Sequence, residues 1–541
     1  MDDAKSSTSI AQGKTTSARH FPQYLAAFTV SIGAFGQGTV LAWSSPAGLP
    51  LMDGAMGFPV DSEQLSWTGA LMPLGAVVVM APMGWAIDRL GRKNTMLLLV
   101  VPFLVGWALI MWPTSVGMLY AGRFLTGMAG GAFSVSGPVY TAEVAQKEIR
   151  GLLGSFYQVL LTFGVLFTFA VGSVLSPFWL SAICAAVPVL FAATFVFMPE
   201  TPVYFLRNDQ GDKARQSLRW LRGPEVDLEP ELQELQLAVD EERKNQASLR
   251  DAFKTLGAKK GLLVSAGLLV FQQLSGVNSA TFYTTVIFKD AGSKMAPTQA
   301  TIIIGAVQVV TTIVSCLVVD RLGRRILLLT SDLVMSVCMF ALGAFFYLQH
   351  VGHDTSALTW LPVTSLSVFF VAYALGIVVC SAAVLQDVEV CSATHLPPAG
   401  DPDKNCVVHM SLSNVSHHYD LFRYGPVPWL MMGELFLPNI KGIASSISCL
   451  LNWTLAFLVT KFFANLVEAF GTYTTFWIFA VLSAFGVLFV YFVVPETKGK
   501  PVELIFREMN GDLVASLDFP LKDRDTGLSV QGMRGASAVY M

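Results

Sequence analysis

Apolar stretches long enough to cross a membrane recur along this 541-residue chain. A helix that spans a bilayer needs about 20 such residues, because each residue advances the helix by about 1.5 Å. Only 13% of the residues are charged, whereas soluble domains carry about 25%. The sequence therefore predicts an all-α membrane protein. Twelve spans are predicted, with approximate bounds 23–43, 65–87, 95–113, 117–140, 152–175, 178–198, 262–284, 300–319, 326–349, 361–376 continued by 424–437, 441–466 and 472–494.

Positive charge marks alternate connections between these spans. Arg89, Arg92 and Lys93 follow the second span, and residues 199–260 between the sixth and seventh spans are densely charged. The connection after the first span holds three carboxylates, Asp53 among them, and no Lys or Arg. Because Lys and Arg accumulate in cytoplasmic loops, we expect both termini and the 199–260 segment to be cytoplasmic. No cleavable signal peptide is recognisable. No strong dileucine or tyrosine sorting signal stands out in the tails, so the plasma membrane is the default expectation for this multi-pass protein.

The chain repeats itself in two halves. Asp88–Lys93 and Asp320–Arg325 both read Asp-Arg-Leu-Gly-Arg followed by a basic residue, and Pro-Glu-Thr occurs at 199–201 and again at 495–497. Two equivalent six-helix halves predict a binding site between them, near the middle of the membrane. The predicted organisation is an N-terminal cytoplasmic tail (1–20), an N-terminal half (21–199), a cytoplasmic helical linker (200–260), a C-terminal half (261–497) and a C-terminal cytoplasmic tail (498–541).

These motifs and several others, taken in order, resemble those of the sugar porters of the major facilitator superfamily. The resemblance covers about residues 21–510 and implies a twelve-helix major facilitator fold. Within that family, Tyr424–Glu434 is most similar to the insect facilitated trehalose transporters. The motifs that carry the resemblance are Asp88–Lys93, Gly122-Arg123, Glu143–Gly151, Pro199–Pro202, Gln272–Asn278, Asp320–Arg325, Gly425–Trp429 and Pro495–Gly499.

A neutral sugar presents hydroxyl groups, which donate and accept hydrogen bonds, and apolar ring faces, which aromatic side chains cover. Amides inside apolar spans are costly without a partner, so they are candidates to bind such a ligand. The alternative is that some of them only bond one helix to another. The resemblance places on a central cavity the amides Gln158, Gln272, Gln273, Asn278, Gln308 and Asn452, with Phe282, Tyr283, Trp429 and Trp453 as aromatic neighbours.

At three positions this chain differs from sugar porters that carry glucose or that are driven by protons. Ala374, or an inserted residue, stands where many glucose-type relatives carry Glu, and Ala456 replaces an Asn of the same type. Both changes remove polar groups and leave room for a larger ligand, such as a disaccharide. In the first span, Gly38 occupies the position at which proton-driven relatives carry Asp. Because that span holds no carboxylate, we expect facilitated diffusion rather than proton symport.

Charged residues at the cytoplasmic ends of both halves form an inner gate, by the same resemblance. Opposite charges there latch the halves while the site faces outward, and each pair contributes only about 1 kcal/mol, so the latch is reversible. The alternative is that the Arg and Lys residues only set the topology. The Gly-Pro-Val-Pro segment at 425–428 predicts a bend in a moving tenth helix. The gate residues are Asp88, Arg92, Arg123, Glu143, Arg150, Asp320, Arg324, Arg325 and Glu434.

The segment 377–423 interrupts the tenth span and has no counterpart in the first half. Its cysteines and histidines follow no metal-ligand spacing. Removing it joins Gly376 to Tyr424, as the family pattern has it. We interpret the segment as a retained intron, and a genuine insert in an isoform is the alternative. If translated, it leaves 424–437 too short to span alone.

The sequence thus predicts facilitative transport of a neutral sugar, with trehalose as the first candidate. The alternatives are a hexose or polyol uniporter, a proton-coupled sugar symporter, and a non-transporting sugar sensor, which the short tail after Pro495 disfavours. The sequence shows no set of nucleophile and base and no phosphate-binding loop, so we do not expect an enzyme. We expect no cofactor, no metal, no nucleic acid and no obligate protein partner; the partners are the sugar and the lipid bilayer.

Overall fold

A computed structural model of the chain describes residues 19–245, 255–292, 295–322, 324–376, 438–497 and 502–510. Within these residues the regular structure is helical, and no strand occurs. Helices suit the apolar spans because each spanning segment can satisfy its own backbone N–H and C=O groups in lipid. The predicted insertion 377–423, and with it Trp429 and Glu434, lies outside the described residues.

Eight helices build the N-terminal half, and three more follow in the linker. The second helix continues the first across one span, and the fourth and fifth together form another. The helices of the half are α1 (Phe21–Ala42), α2 (Ser44–Met52), α3 (Ser62–Leu90), α4 (Arg92–Leu98), α5 (Val100–Met111), α6 (Val116–Val144), α7 (Arg150–Gly172) and α8 (Pro177–Phe195). The linker helices are α9 (Pro202–Arg207), α10 (Gly211–Arg222) and α11 (Glu229–Asn245).

The C-terminal half begins with a broken span, and a short amphipathic helix follows it in the C-terminal tail. A single 3-10 turn, Ser356–Leu358, precedes the tenth span among the described residues. The helices are α12 (Leu256–Leu274), α13 (Val277–Asp290), α14 (Pro297–Leu322), α15 (Arg324–His350), α16 (Leu361–Gly376), α17 (Pro438–Phe470), α18 (Thr472–Val493) and α19 (Val502–Asn510).

Eleven helical segments among the described residues are long and apolar enough to cross a membrane. The remaining predicted span, 117–140, lies within α6, which is 29 residues long but rich in Gly, Ser and Thr. Its side chains are covered by neighbouring helices rather than by lipid, since Ala129 and Ala132 are fully buried. Small residues allow such close helix packing, so the sequence of α6 reflects burial within the half.

The halves meet mainly along three helix pairs: α3 with α17, α7 with α14, and α2 with α13. The linker packs on the N-terminal half, where Arg222 Nη1 donates to the Val144 carbonyl at 2.8 Å and Nη2 lies 2.7 Å from Glu231 Oε1. We call the end of the bundle that carries α9–α11 the linker end. The other end, beside the loop between α2 and α3, is the opposite end.

Helices α1 and α7 approach each other at backbone distance. A Cβ atom added at Gly38 would lie 2.1 Å from the Leu161 carbonyl oxygen, and one at Gly164 would lie 2.3 Å from that of Phe35. Only glycine permits this contact, which places the two helices side by side in the wall that faces the C-terminal half.

Replacing Gly38 by Ala is expected to reduce the folded protein severalfold, because overpacking costs roughly 1–3 kcal/mol and here the clash is with backbone. The measurement is the monodisperse peak in fluorescence-detected size-exclusion chromatography. Gly48→Ala is the matched control, since its added Cβ would lie 3.6 Å from the Leu65 side chain, an ordinary contact. Equal peaks for the two variants would contradict the packing argument.

Candidate functional site

A cavity of about 160 Å³ lies between the halves. Its walls come from α1, α6 and α7 on one side and from α12, α13, α14, α16 and α17 on the other. Among the described residues that line it, none is charged. The six amide side chains predicted for the site all border this cavity, together with one predicted aromatic: Gln158, Gln272, Gln273, Asn278, Gln308, Asn452 and Trp453.

A helix break brings the amides of the seventh predicted span together. Gly276 separates α12 from α13 with φ +83°, in the left-handed region that favours glycine. A Cβ atom there would also lie 2.9 Å from the Phe479 ring. Gln273 precedes the break and Asn278 follows it, so both side chains reach the same cavity. The break at 275–276 thus brings the glutamines and the asparagine of the Gln272–Asn278 motif to the same cavity.

Three amides form a directed chain of hydrogen bonds on the C-terminal wall. Asn278 Nδ2 donates to Gln273 Oε1 at 2.5 Å, and Gln273 Nε2 donates to Asn452 Oδ1 at 2.7 Å. Gln272 Nε2 donates to the Tyr373 hydroxyl at 3.2 Å. Each bond fixes the orientation of an amide, so the wall presents its remaining donors and acceptors in defined positions.

Two buried acceptors on facing walls have no hydrogen-bond partner among the residues that the structure describes. They are Oε1 of Gln158 in α7 and Oε1 of Gln272 in α12. An unsatisfied buried acceptor costs about 1–3 kcal/mol. A ligand with hydroxyl groups would remove that cost by donating to both atoms, whereas an apolar ligand would not.

The four aromatic residues predicted to lie near the site differ in where the structure places them. Trp453 borders the cavity as expected. Phe282 and Tyr283 do not: both are buried in the core of the C-terminal half, where the Tyr283 ring lies 5.0 Å from that of Phe463. In α13 it is Thr281 that faces the cavity, because the helix turns the next two residues into the core. Trp429 lies outside the described residues.

Six lining residues with an amide or hydroxyl group were missed by the sequence reasoning: Gln37, Ser134, Tyr157, Thr162, Thr281 and Tyr373. Gln37 was visible as an amide inside an apolar span, the same signal that identified the others. The hydroxyl-bearing residues gave no such signal, because Ser, Thr and Tyr are common in membrane helices. The departure at Ala456 does lie on the cavity wall.

Arg92 is the centre of a charged cluster at the linker end. Its side chain is 2% exposed, with Nη2 2.8 Å from Glu143 Oε1 and Nη1 3.6 Å from Asp88 Oδ1. Asp88 also pairs with Arg207 of α9 at 3.0 Å. Arg150 begins α7 at the same end. The predicted placement of these side chains at this end agrees with the structure, and the pairs described lie within the N-terminal half or tie it to the linker.

The Pro-Glu-Thr repeats cap the helices that follow the Asp-Arg-Leu-Gly-Arg repeats. Glu200 accepts backbone N–H groups of Arg92 and Lys93 at 3.1 and 3.0 Å. Glu496 does the same for Arg324 and Arg325, both at 3.2 Å. Carboxylates at helix N-termini satisfy unpaired N–H groups and complement the helix dipole. In each half, a Pro-Glu-Thr repeat therefore makes the same contact with an Asp-Arg-Leu-Gly-Arg repeat that is distant from it in sequence.

Within this contact, Gly91 and the Glu200 carboxylate depend on each other. Gly91 has φ +90°, and a Cβ there would lie 2.3 Å from Glu200 Oε2. Burial raises the pKa of the Glu200 carboxyl above its ordinary value, while backbone N–H donors from Thr201 and Lys93 act in the other direction. The gate prediction did not assign either glutamate.

Arg123 does not belong to the linker-end gate. It lies in the first third of α6, at the opposite end, and is 0% exposed. Its Nε and Nη1 donate to the carbonyls of Thr68 and Val40 at 3.1 and 3.0 Å. Its guanidinium also lies 5.3 Å from the ring centroid of Trp43. The prediction of its place was wrong, whereas the expectation that a charge inside this helix needs partners holds.

The gate residues predicted for the C-terminal half are described in part. Arg324 and Arg325 begin α15, and the Arg325 Nη2 donates to the Tyr491 carbonyl at 2.5 Å. Asp320 belongs to α14, but its side chain is outside what the structure describes. Glu434 lies outside the described residues altogether.

An ion pair that the sequence did not indicate joins the halves at the opposite end. Lys461 Nζ of α17 lies 2.7 Å from Glu63 Oε1 of α3 and donates to Ser66 Oγ at 2.9 Å. Nearby, the hydroxyls of Ser45 and Thr285 also bond across the halves at 2.9 Å. Glu63 and Lys461 are 398 positions apart, so no local pattern relates them.

The profile of the sugar (and other) transporter family matches residues 14–391 and 421–509. The chain is 37% identical over 494 residues to the facilitated trehalose transporter Tret1 of Culex quinquefasciatus, covering 91% of this chain and 86% of that protein. It is 36% identical over 513 residues to the protein of the same name from Aedes aegypti, covering 94% of this chain. The chain spans only 58% of the length of that Aedes protein.

Solved structures share the fold. The partially occluded inward open conformation of the xylose transporter XylE from E. coli superposes with a TM-score of 0.67 at 22% identity, covering 89% of this chain and 99% of that one. The complex of XylE with 6-bromo-6-deoxy-D-glucose, a major facilitator superfamily structure, gives a TM-score of 0.64. The architecture described above is accordingly the major facilitator fold.

Proposed function

Since the chain belongs to the sugar transporter family, whose members are carriers rather than enzymes, we propose that it moves a neutral sugar across a membrane by alternating access of its two halves. The cavity between the halves, whose described lining is uncharged, carries this proposal. Its amides suit a ligand rich in hydroxyl groups, and two buried acceptors on facing walls have no partner within the described part of the chain. The sugar would complete hydrogen bonds that the empty site leaves open.

Trehalose is the substrate that we propose first. Curated relatives from several insects bear the name facilitated trehalose transporter over most of this chain's length. Ala456 on the cavity wall leaves space where glucose-type carriers have an amide. A hexose or polyol remains the alternative substrate.

Facilitated diffusion, without ion coupling, is the mode that we propose. The described lining of the cavity includes no carboxylate. At Gly38, the position of the proton-carrying Asp in the symporter pattern, α7 leaves no room for a side chain. A carrier without a titrating group at the site has no evident way to link sugar and proton movement.

Proton symport is a second candidate because of Asp332. This carboxylate is 4% exposed within α15, and its Oδ2 lies 3.2 Å from the position of a Cβ added at Gly486. Carboxylates buried in membrane spans often relay protons. The expectation of facilitated diffusion rests on the first span, whereas Asp332 lies in the ninth.

We propose that the linker end is cytoplasmic, because Arg89, Lys93 and the linker carry the positive charge that marks cytoplasmic loops. The plasma membrane is the default location that we propose. The contacts between Glu63 and Lys461 then close the outer side of the carrier in the present structure. The charged clusters at the linker end, including Arg92 and Glu143, would close the inner side in the alternate state. Charge pairs near water are weak enough to exchange in this way.

The insertion 377–423 is proposed to be foreign to the carrier. The family match is interrupted at residues 392–420, inside this segment. If the segment arises from a retained intron, the version without it should carry the activity. Sequencing the transcript tests this directly: a majority of messages that contain the segment would favour a genuine isoform.

Uptake of labelled trehalose and glucose in oocytes tests the function, for the full chain and for the version lacking 377–423, at mildly acidic and at neutral pH. We expect trehalose uptake by the shorter version that does not depend on pH. Acid stimulation that Asp332→Asn removes would favour symport instead. No uptake of either sugar by a well-expressed protein would contradict the transport proposal and favour a sensor.

A further inference from the structure

The wall that the N-terminal half contributes to the cavity carries a buried polar pair. The Tyr157 hydroxyl of α7 donates to Gln37 Oε1 of α1 at 2.6 Å. The two side chains are 1% and 3% exposed, and both border the cavity. Polar side chains buried inside membrane spans are costly, so this pair is a candidate for a functional role.

A glycine of α6 makes room for one member of the pair. A Cβ atom added at Gly137 would lie 2.6 Å from the Tyr157 ring, whereas one at Gly130 would lie in ordinary contact with Gln37, 3.5 Å from its Cγ. The Tyr157 ring is therefore packed against the α6 backbone, and its hydrogen bond holds Gln37 in position. Fixed polar groups lose little conformational entropy on binding, which makes them effective for recognising a ligand.

Gln37 brings further donors to the cavity. Its Oε1 is engaged by Tyr157, which directs the other end of the carboxamide, an NH₂ group with two donors, away from that bond. One residue beyond Tyr157 in α7, Gln158 Oε1 is buried and has no partner among the described residues. The N-terminal wall therefore offers both donors and an acceptor.

Two polar walls face each other across one cavity. The C-terminal wall has its own chain of amides, Asn278 to Gln273 to Asn452. A molecule of two rings carries more hydroxyl groups than a single ring and can therefore satisfy more of the donors and acceptors on the two walls. We propose that Gln37 and Tyr157 hold the second ring of a disaccharide and so select it over a single-ring sugar. This inference rests on the proposed function and names the part of the site that sets its specificity.

The test is the affinity of the purified full-length protein for each sugar, from thermal stabilisation in titrations with trehalose and with glucose. Ligand binding raises the melting temperature with concentration, and transport is not required. For Tyr157→Phe, which removes only the hydroxyl, we expect the half-maximal trehalose concentration to rise about tenfold and that of glucose to change less than about twofold. Gln37→Leu should behave in the same way and serves if the first variant does not fold.

Tyr120→Phe is the matched control, because its hydroxyl bonds to the Gln64 carbonyl at 3.3 Å, outside the cavity. It should leave both affinities unchanged. Equal losses for both sugars, or no loss for either, in the Tyr157 and Gln37 variants would overturn the subsite while the carrier proposal stands. If the wild-type protein responds to glucose and not to trehalose, the disaccharide assignment fails for substrate and subsite alike.

Discussion

Replacing Gln273 by Met is expected to reduce sugar uptake about 100-fold while the amount of folded carrier stays within about twofold. Gln273 is the middle of the amide chain: it accepts from Asn278 and donates to Asn452. Met keeps the length and volume of the side chain but can do neither. Its two neighbours then lose both a partner and a fixed orientation, and the sugar loses its contact with Gln273.

The magnitude follows from the buried position of this group. A buried polar group left without its partner costs about 1–3 kcal/mol, and about 1.4 kcal/mol corresponds to a factor of ten. In the proposed site the sugar contacts all three amides, so we expect the loss to fall on binding more than on folding. Uptake of labelled trehalose, normalised to the protein at the membrane, is the measurement.

Gln349→Met is the matched control for this experiment. Gln349 is exposed at the opposite end of the same half, where its amide donates to the Asp290 carbonyl at 3.3 Å. The substitution is chemically identical but lies far from the cavity, so uptake should be unchanged. If Gln273→Met retains uptake within about threefold of the wild type, the amides would be structural bonds between helices rather than the sugar site.

Reversing the charge of Lys461 is the second large effect that we expect. Lys461→Glu places a carboxylate beside Glu63, across the interface of the two halves, where the native pair is 2.7 Å apart. Like charges at this distance repel, so the state closed at the opposite end becomes less populated. Because alternating access visits both closed states in every cycle, we expect uptake to fall about tenfold.

The surroundings of Lys461 make its charge matter. Its side chain is only 7% exposed, whereas that of Glu63 is 56% exposed. The Lys461 ammonium also lies 4.8 Å from the ring centroid of Trp67, another residue of α3. Cation–π contact and the bond to Ser66 add to the ion pair, and Glu at this position loses all three interactions.

The double variant Glu63→Lys, Lys461→Glu separates a latch from a general effect on folding. If the pair acts through its mutual attraction, the exchange of charges should restore uptake to within about threefold of the wild type. Lys289→Glu, an exposed charge reversal near the end of α13, is the control and should be silent. A double variant as inactive as Lys461→Glu alone would remove the attraction between these residues as the explanation.

The amides of the cavity show how far sequence reasoning can reach. Gln158, Gln272 and Asn452 stand out because each interrupts an apolar stretch, and a polar group in lipid needs a purpose. The same rule also identifies Gln37, which is an amide inside the first apolar span. It could not predict that Thr281 faces the cavity whereas Phe282 and Tyr283 are buried in the core. Neighbouring residues of a helix point in different directions, and the rotation of the helix against its neighbours decides which of them faces the cavity.

Two charged residues show where the sequence falls short. Arg123 was assigned to the gate with the linker-end cluster, yet its bonds to Thr68 and Val40 place it at the other end of the N-terminal half. Lys461 was not singled out, since a lysine late in an apolar span resembles an ordinary membrane-boundary residue. In both cases the partner decides the role, and the partner is distant in sequence.

The sequence by itself determined the membrane class, the course of the spans, the two halves and most of the amides that line the cavity. These are properties of the chain read locally, because hydrophobicity and repeats are carried by neighbouring residues. The tertiary structure alone decided which groups meet: Glu200 with the backbone of Arg92, Tyr157 with Gln37, and Glu63 with Lys461. The register of packed helices depends on close contacts such as Gly38 against Leu161, which no one-dimensional pattern contains.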